Sequence, residues 1–291
     1  MKVLVTGGAG FIGSNLCNHL VKKKHQVVAL DNLMLGKVSN LDSRVKFIKG
    51  SVEKEKDLEK CGRKIDYIIH LAAASSAPMF SEDLIKSYRN NVIGFLEVLE
   101  FARKHKIKKV IYASSSSIYG NNPTPLAENQ SVVPPNFYAV TKHTMEETAY
   151  IYNQVYGLEI IGFRFMSVYG PNEKHKGVFA NLVSQFIWEI EKDKKPVIYG
   201  DGKQRRDFTN VRDIVQAIEL AIRSKKKFGA TFFNIGTAKS YNLLQIIKYI
   251  NQAFGKNIPV KHIKNPIKGY IRTQLASLKK ISKELGYKPT T

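Results

Sequence analysis

Short apolar segments alternate with amphipathic segments through the first half of the chain. The apolar segments are rich in β-branched residues, a composition typical of strands that are buried on both faces of a sheet. Five such strands are predicted: KVLVTG (2–7), QVVALD (26–31), VKFIKG (45–50), DYIIHLAA (66–73) and KVIYASS (109–115). Helical patterns lie between them, for example at 12–23 and 84–104. These repeated units predict a parallel sheet with right-handed crossovers and helices on both faces.

The alternation becomes looser in the second half. A helix begins near Tyr138, a strand is predicted at 158–165, and the next segment, SVYGPNEKHKG (167–177), has residues typical of loops. The later predicted elements are a helix at 181–191, strands at 196–200 and 231–236, and a helix at 243–254. We therefore predict an α/β protein with a doubly wound parallel sheet. Its larger domain spans 1–165, and a smaller C-terminal lobe spans 166–291, with segments at about 200–238 returning to the larger domain.

The composition excludes several classes of protein. Cys17 and Cys61 are too few for a disulfide framework, the seven histidines show no ligand spacing, and we predict no metal. Cys17 falls in an apolar helix pattern and is predicted to be a small buried hydrophobe. No apolar run approaches the roughly 18 residues of a membrane span, and glycines interrupt the first apolar stretch too early for a signal peptide. We expect a cytoplasmic protein without a membrane partner.

The charge is strongly positive, with 46 Lys and Arg against 24 Asp and Glu, a formal net charge of +22. This charge suggests a polyanionic partner such as nucleic acid. However, the basic runs VKKKHQ, RKHKIKK and RSKKKFG are spread along the chain, near predicted helix ends where cations are favourable. We interpret the charge as solvated surface and predict no nucleic-acid partner; a phosphate-bearing small substrate is the main alternative.

A glycine-rich turn follows the first predicted strand. Gly7, Gly10 and Gly13 lie in VLVTGGAGFIG, between that strand and a helix. Glycines let the backbone approach a pyrophosphate closely, and the helix N-terminus offers free N–H groups. The second strand ends at Asp31, where a carboxylate would bind the adenosine ribose and repel a 2′-phosphate. We predict a dinucleotide site for NAD rather than NADP, against the alternative that Asp31 is only a loop residue.

Five motifs occur in a characteristic order: TGGAGFIG, HLAA, SSSSIYG, YAVTK and RRDF. In this order the chain resembles the extended short-chain dehydrogenases/reductases. Among these it is most similar to the NAD-dependent nucleotide-sugar epimerase/dehydratase family, and in particular to UDP-glucose and UDP-N-acetylglucosamine 4-epimerases. The resemblance extends from Lys2 to about Pro289. It implies a Rossmann-type fold with a C-terminal substrate lobe, NAD as cofactor and a UDP-sugar as substrate.

The resemblance implies that Tyr138 is the catalytic base, with Lys142 as its partner. It also implies a serine at the end of the fifth strand that completes the site. Counting back from the Tyr119–Gly120 pair places this serine at Ser115, whereas Ser116 would face the other way along an extended strand. A phenol titrates near pH 10, and an ammonium four residues along a helix and the nicotinamide ring would each lower its pKa by roughly 1–3 units. The second Tyr-x-x-x-Lys, at 199–203, enters a Gly-Asp-Gly turn and is predicted to be structural.

The resemblance also implies the contacts to the ligands. Leu71 to Ala73 would line the adenosine or pyrophosphate side of the cofactor, with Asn90 close by. The predicted cofactor-binding residues are Gly7, Gly10, Phe11, Ile12, Gly13, Asp31, Asn32, Ser51, Val52, Leu71, Ala72, Ala73, Asn90, Ser114, Tyr138 and Lys142. The predicted substrate-binding residues are Ser115, Ser116, Tyr138, Ser167, Asn181, Leu182, Arg206, Lys268 and Arg272. Arg206 would clamp the diphosphate, a role suited to its planar fork of donors, unless it is a surface arginine.

Three serines depart from the family pattern. Ser51 replaces an aspartate that bonds adenine, Ser167 replaces an asparagine, and Ser277 stands where an aspartate is common. We expect a weaker or different adenine contact at Ser51 and a different contact to the sugar or phosphate at Ser167.

The residues after the fifth strand bear on the reaction. Dehydrating relatives have an acidic pair after the strand-five Ser or Thr, and decarboxylating relatives a Glu before Tyr-Gly. Here Ser116 and Ser117 occupy these places, and a hydroxyl does not exchange protons at neutral pH as a carboxylate does. We predict 4-epimerisation of a UDP-hexose or UDP-N-acetylhexosamine through a 4-keto intermediate, in cell-surface polysaccharide biosynthesis. The alternatives are another nucleotide-sugar oxidoreductase, dehydratase or decarboxylase, and a non-catalytic nucleotide- or RNA-binding protein.

The family resemblance also implies a homodimer. Its interface would involve the helices that begin near Leu84 and Asn136, although their apolar residues could equally face the sheet.

Overall fold

The central feature of the structure is a seven-stranded parallel sheet. The computed structural model describes residues 1–265 and 270–291. The strands of the chain are β1 (Lys2–Thr6), β2 (Gln26–Asp31), β3 (Lys46–Lys49), β4 (Tyr67–His70), β5 (Lys109–Ser115), β6 (Ile160–Phe165), β7 (Ser167–Tyr169), β8 (Val197–Tyr199), β9 (Arg205–Arg206), β10 (Phe208–Asn210), β11 (Ala230–Ile235), β12 (Tyr241–Asn242) and β13 (Lys261–Ile263). The main sheet has the order β11-β6-β5-β4-β1-β2-β3. This is the Rossmann order with a seventh strand, and it confirms the predicted doubly wound parallel sheet.

Helices cover both faces of this sheet. They are α1 (Phe11–Lys22), α2 (Glu55–Glu59), α3 (Ala77–Glu82), α4 (Leu84–Tyr88), α5 (Gly94–Lys104), α6 (Phe137–Tyr156), α7 (Leu182–Glu191), α8 (Val211–Arg223), α9 (Leu243–Phe254) and α10 (Lys279–Leu285). A π-helical turn, Arg89–Ile93, joins α4 to α5 within the single helix predicted at 84–104. Short 3₁₀ turns lie at Val38–Asn40, Ser116–Tyr119 and Lys174–Phe179.

Three apolar clusters hold the fold together. One lies between the sheet and the pair α1 and α8, and it includes Leu16, Ile218 and the predicted hydrophobe Cys17, which is fully buried. A second packs α5 and α6 against the opposite face. A third joins α7, α9 and β8 through residues such as Phe186 and Ile247. In the described part of the chain, no helix is both long and apolar enough to cross a membrane.

Two differences from the predicted elements shape the site. The strand predicted at 66–73 stops at His70: Leu71 N–H still donates to Thr6 O (3.0 Å), but β1 then ends in the glycine turn, and Ala72 N–H donates to the side chain of Thr6 instead of to a strand carbonyl (3.4 Å). Residues 71–73 therefore leave the sheet. The late strand β11 pairs in parallel with β6, so the chain does return to the main sheet after the C-terminal elements begin. The division into domains at residue 165 stays a prediction.

Candidate active site

The glycine turn between β1 and α1 leaves no room for side chains. Gly7 has a φ of +67°, and a Cβ atom there would lie 2.6 Å from the backbone nitrogen of Ala72. A Cβ atom on Gly13 would lie 2.0 Å from the carbonyl oxygen of Gly7. No side chain caps the N-terminus of α1 at Gly10, so its free N–H groups are available to a ligand. The turn therefore fits a dinucleotide pyrophosphate at the helix N-terminus.

Gly13→Ala tests this close packing. The added Cβ atom would clash with backbone atoms, so no rotamer change relieves the clash. We therefore expect the free energy of unfolding to fall by about 1–3 kcal/mol and NADH binding to be lost. Urea unfolding and NADH fluorescence titration measure the two effects. Gly157→Ala is the control, since a Cβ atom there has nothing within 4 Å and its cost is only that of a φ of +67°. Normal NADH binding by Gly13→Ala would contradict the assignment.

Asp31 lies where β2 ends, as predicted, and its carboxylate is already ordered. Its Oδ2 accepts a hydrogen bond from Ala9 N–H (3.0 Å), and its Oδ1 accepts one from Leu33 N–H (2.7 Å). Burial raises the pKa of Asp31, while these hydrogen bonds act in the opposite direction. The second lone pair of each oxygen is available to a ribose diol.

A cavity of about 460 Å³ extends from the glycine turn along the carboxyl ends of the strands. Predicted ligand-binding residues line much of it: Gly7, Gly10, Phe11, Ile12, Gly13, Asp31, Asn32, Val52, Leu71, Ala72, Ala73, Asn90, Ser114, Ser115, Ser116, Tyr138, Lys142, Ser167, Asn181 and Arg206. Residues far apart in sequence thus converge on one space. Three of its lining side chains, Ser75, Ser76 and Asn90, have a buried oxygen without a hydrogen-bond partner, and bound ligand groups could satisfy these atoms.

Three predicted residues lie away from the cavity lining. Ser51 N–H donates to Asp57 (3.0 Å) and its hydroxyl accepts from Glu53 N–H, while the side chain of Leu182 packs into the third apolar cluster. The side chain of Arg272 is mostly exposed and pairs with Asp201 at 3.4 Å. Lys268 lies outside the described residues.

Tyr138 and Lys142 project from the first turns of α6 beside the end of β5. Lys142 Nζ lies 6.0 Å from the centroid of the Tyr138 ring and donates to the carbonyl oxygen of Ala113 (2.7 Å). The hydroxyls of Ser115 and Ser117 are hydrogen-bonded to each other, and both act on the Tyr138 hydroxyl to lower its pKa. The Tyr-x-x-x-Lys spacing thus places both side chains against the strand-five serines.

Burial has the largest effect on the pKa of Tyr138 and on that of Lys142. It raises the pKa of Tyr138, and the hydrogen bonds to Ser115 and Ser117 oppose that rise. Burial also lowers the pKa of Lys142 to about 7. The expected fall in the pKa of Tyr138 therefore does not come from the protein alone, because desolvation outweighs the hydrogen bonding of the two serines.

The buried Lys142 predicts a pH-dependent stability. Its pKa falls from 10.5 to about 7 on folding, so the unfolded chain binds more protons between these values. The free energy of unfolding should therefore rise with pH from about 7 towards 10.5, by at most about 1.4 kcal/mol per pH unit. Urea unfolding of nucleotide-free protein between pH 7 and 9 measures this slope. Lys142→Met should flatten it, and parallel curves for the two proteins would contradict the prediction.

A buried ion pair supports the catalytic elements from behind. Arg164 on β6 donates to both oxygens of Glu146 on α6 (2.9 and 2.6 Å), and Glu146 Oε1 also accepts from Ser114 Oγ (2.6 Å). The remaining guanidinium nitrogen donates to Tyr119 Oη at 2.7 Å. This network links the helix that carries Tyr138 to the strand that carries Ser115.

Arg206 lies at the opposite wall of the cavity, where backbone carbonyl groups orient it. Its Nη2 donates to Ile271 O (2.6 Å), and its Nη1 donates to Arg205 O and Arg272 O (2.8 and 3.2 Å). Its guanidinium carbon lies 5.3 Å from the centroid of the Tyr270 ring. These contacts hold the guanidinium at the cavity wall, so Arg206 is not simply a surface arginine.

Several cavity residues were missed by the sequence analysis, for an identifiable reason. Ser117 was considered only as a residue after the fifth strand that lacks a carboxylate, but the 3₁₀ turn that follows β5 brings it back beside Ser115. The same turn directs Ser116 Oγ to Gln274 Nε2, which donates to it at 3.0 Å. Further missed lining residues are Asn136, Glu173, Lys176, Phe179, Tyr270 and Gln274. Of these only Asn136 has a local signal, as an N-cap residue that directly precedes a helical pattern.

Known proteins are similar to this chain in sequence. Residues 3–236 match the NAD dependent epimerase/dehydratase family. The putative UDP-glucose 4-epimerase of Methanocaldococcus jannaschii is 34% identical over 99% of this chain and 93% of its own length. The UDP-N-acetyl-alpha-D-glucosaminuronate decarboxylase of Bacillus cytotoxicus is 32% identical over 90% of this chain and 83% of its own length.

A solved structure is similar in fold across the whole chain. The UDP-N-acetylglucosamine 4-epimerase of Methanobrevibacter ruminantium, solved in complex with UDP-N-acetylmuramic acid, superposes with a TM-score of 0.93 at 33% identity, over 99% of this chain and 93% of its own. The family match alone covers well over half of the sequence and includes the glycine turn, the Tyr138 helix and Arg206. The chain therefore belongs to the NAD dependent epimerase/dehydratase family.

Proposed function

We propose that the protein is an isomerase, a UDP-sugar 4-epimerase that inverts C4 of a UDP-hexose or UDP-N-acetylhexosamine. The observation that carries this proposal is the cluster of Tyr138, Ser115, Ser117 and Lys142 at the wall of a cavity that begins at the glycine turn. A single acid–base group beside a dinucleotide site is sufficient for reversible oxidation of a secondary alcohol.

The residues that would hold NAD are those of the glycine turn, the carboxylate of Asp31 and the residues 71–73. Bound NAD would supply reversible hydride transfer and the positive charge of its nicotinamide ring. This charge favours the phenolate form of Tyr138, which burial by itself disfavours.

The chain's own residues supply proton transfer and orientation. Tyr138 Oη takes the proton of the sugar 4-hydroxyl and later returns it, while Ser115 Oγ hydrogen-bonds the same oxygen. Lys142, fixed by Ala113 O, holds the base in position. Arg206 and Asn181 retain the diphosphate while the 4-keto sugar turns its other face towards the cofactor, so the keto sugar is not released between the two transfers.

The main rival is a decarboxylase or dehydratase of the same family, since a decarboxylase is among the relatives. Such a reaction needs a further acid or base near the sugar. Ser116 and Ser117 occupy the positions after β5, and the carboxylates that line the cavity are Asp31, at the glycine turn, and Glu173, which is held by Asn181 and Ser184. Neither lies in the serine turn, and epimerisation is therefore favoured.

NMR of the purified protein tests the proposal. UDP-N-acetylglucosamine and UDP-glucose are incubated separately, first without added NAD and then with it. The expected result is the galacto epimer at unchanged mass, which also ranks the two sugars. Net NADH release would indicate an oxidoreductase, and a product of different mass would indicate dehydration or decarboxylation. Salt-sensitive RNA binding without turnover would favour a non-catalytic protein.

We infer in addition that the protein forms a homodimer through α4 to α6. These helices lie side by side, because Asn91 donates to Thr141 Oγ1 (3.0 Å) and Tyr152 to Glu100 (3.0 Å). These segments expose large apolar side chains: Ile85, Ile93, Tyr150, Ile151 and Val155. Exposed apolar side chains of this kind favour an interface.

Ile151→Glu combined with Val155→Glu tests the dimer. Burying two carboxylates in an apolar interface is unfavourable, so we expect the doubly substituted protein to sediment as a monomer while the unsubstituted protein sediments as a dimer. Leu244→Glu with Tyr249→Glu on α9 is the matched control, because these apolar residues are also exposed but lie on another helix. A monomeric unsubstituted protein would contradict the inference.

A further inference from the structure

The loop between β7 and α7 links the two ends of the cavity. At one end, Asn172 Nδ2 donates to Ser14 Oγ (3.2 Å) in the first turn of α1, next to the glycine turn. At the other end, Glu173 Oε1 accepts from the N–H of Asn181 (2.7 Å), which caps α7. The loop is therefore attached both to the dinucleotide side and to the predicted substrate side of the site.

Lys176 extends from this loop into the cavity with few partners. Its side chain is 17% exposed, and its Nζ lies 5.9 Å from the centroid of the Phe11 ring, at the first residue of α1. The nearest carboxylate oxygen, Glu173 Oε1, lies 3.8 Å away, which is longer than a hydrogen bond. Both oxygens of Glu173 already accept hydrogen bonds, from Asn181 N–H and from Ser184 Oγ (2.5 Å).

The other cations of the cavity differ from Lys176 in this respect. Lys142 Nζ donates to Ala113 O, and the Arg206 guanidinium donates to three carbonyl oxygens. Within residues 1–265 and 270–291, no acceptor lies at hydrogen-bond distance from Lys176 Nζ. Burial also lowers the pKa of Lys176, because desolvation of the ammonium outweighs the opposing attraction of the Glu173 carboxylate. An anion in the cavity would remove this cost.

We propose that Lys176 binds a phosphate oxygen of a diphosphate held in this cavity. The inference rests on the proposed function, which places two diphosphates there, one in the dinucleotide and one in the nucleotide sugar. Both diphosphates present negatively charged phosphate oxygens that accept hydrogen bonds. A lysine ammonium binds such oxygens through its positive charge and its three N–H donors. Lys176 lies beside the N-terminus of α1, where the dinucleotide phosphates would bind, and on the loop that also holds Asn181.

Equilibrium binding of NADH and of UDP tests the proposal and separates the two sources. Lys176→Met and Lys176→Gln remove the charge, and Lys176→Arg keeps it. Lys174→Met is the matched control, since Lys174 is an exposed lysine of the same loop. We expect the neutral variants to bind one of the two ligands at least about tenfold more weakly, with the control and Lys176→Arg within about threefold of the unsubstituted protein.

Each outcome has a defined meaning. Weaker NADH binding assigns Lys176 to the dinucleotide, and weaker UDP binding assigns it to the nucleotide sugar. Unchanged affinity of both neutral variants for both ligands overturns the proposal. Acetylation of Lys176 by acetic anhydride in the unsubstituted protein, measured by mass spectrometry, should slow when the ligand that Lys176 contacts is bound. Equal labelling with and without each of the two ligands would also overturn the proposal. Neither measurement needs turnover, so the absence of an epimer would contradict the proposed function alone.

Discussion

Tyr138→Phe is expected to lower kcat for epimerisation by about 10²–10⁴-fold, the usual contribution of a positioned acid–base group. The substitution removes one oxygen, that of a hydroxyl whose pKa the neighbouring hydroxyls of Ser115 and Ser117 act to lower. The ring still packs against Phe80 at 6.0 Å between centroids, so the cavity wall keeps its shape. Binding of NADH and UDP should therefore change little. Initial rates by NMR and the two binding titrations measure these effects.

Tyr199→Phe is the matched control for this experiment. Tyr199 also begins a Tyr-x-x-x-Lys sequence, but it ends the short strand β8 and is followed by Gly200 and Gly202, both with positive φ. It does not line the cavity in the described part of the chain. We expect this variant to retain normal kcat. A Tyr138→Phe protein that kept near-normal turnover would contradict the assignment of the base.

Arg164→Met is expected to lower the free energy of unfolding by about 3–5 kcal/mol, because it leaves a buried carboxylate without its cation. Glu146 would keep only its hydrogen bond from Ser114, and both members of the original pair are almost fully buried. Since Glu146 lies one turn after Lys142 on α6, turnover should fall as well. Urea unfolding and the NMR rate assay measure the two effects.

Two further variants test whether the lost stability comes from the unpaired buried carboxylate or from the loss of an ion pair in general. Arg103→Met breaks the pair with Glu100, which is partly exposed and screened by solvent, so it should lower the free energy of unfolding far less than Arg164→Met. The double variant Arg164→Met, Glu146→Leu removes both charges and should recover much of the stability lost by Arg164→Met alone. A loss below about 1 kcal/mol for Arg164→Met would show that the buried pair does not stabilise the fold.

The local elements were predictable because their signals are local. The strands β2 and β5 and the helix α9 have the predicted bounds, since each is an uninterrupted apolar or amphipathic run ended by turn residues. The strand predicted at 66–73 was wrong at its end. Its apolar pattern continues through Ala73, but pairing stops where the neighbouring strand β1 enters the glycine turn. A strand boundary of this kind depends on a partner that is remote in sequence.

The site residues likewise divide into those with a local signal in the sequence and those without one. The glycine turn, Asp31 and the Tyr138–Lys142 pair have fixed spacings within one turn, strand end or helix. Ser117 and Lys176 have no such spacing, because a 3₁₀ turn and a loop attached to α1 bring them to the cavity. The predicted contacts at Ser51 and Arg272 rested on alignment; in the structure the Ser51 hydroxyl accepts a hydrogen bond from Glu53 N–H and the Arg272 side chain pairs with Asp201.

The sequence by itself determined the class of the sheet and the dinucleotide turn, which follow from periodicity and short-range spacing that the chain carries wherever it folds. The tyrosine–lysine pair was identified by the family resemblance of the motifs around it, because its spacing occurs twice in the chain. Only the tertiary structure decided which serines lie beside Tyr138, that the nearest carboxylate oxygen lies 3.8 Å from the Lys176 ammonium, and that burial raises the pKa of Tyr138. Hydrogen bonding and desolvation depend on every group around an atom, and those groups come from distant parts of the chain.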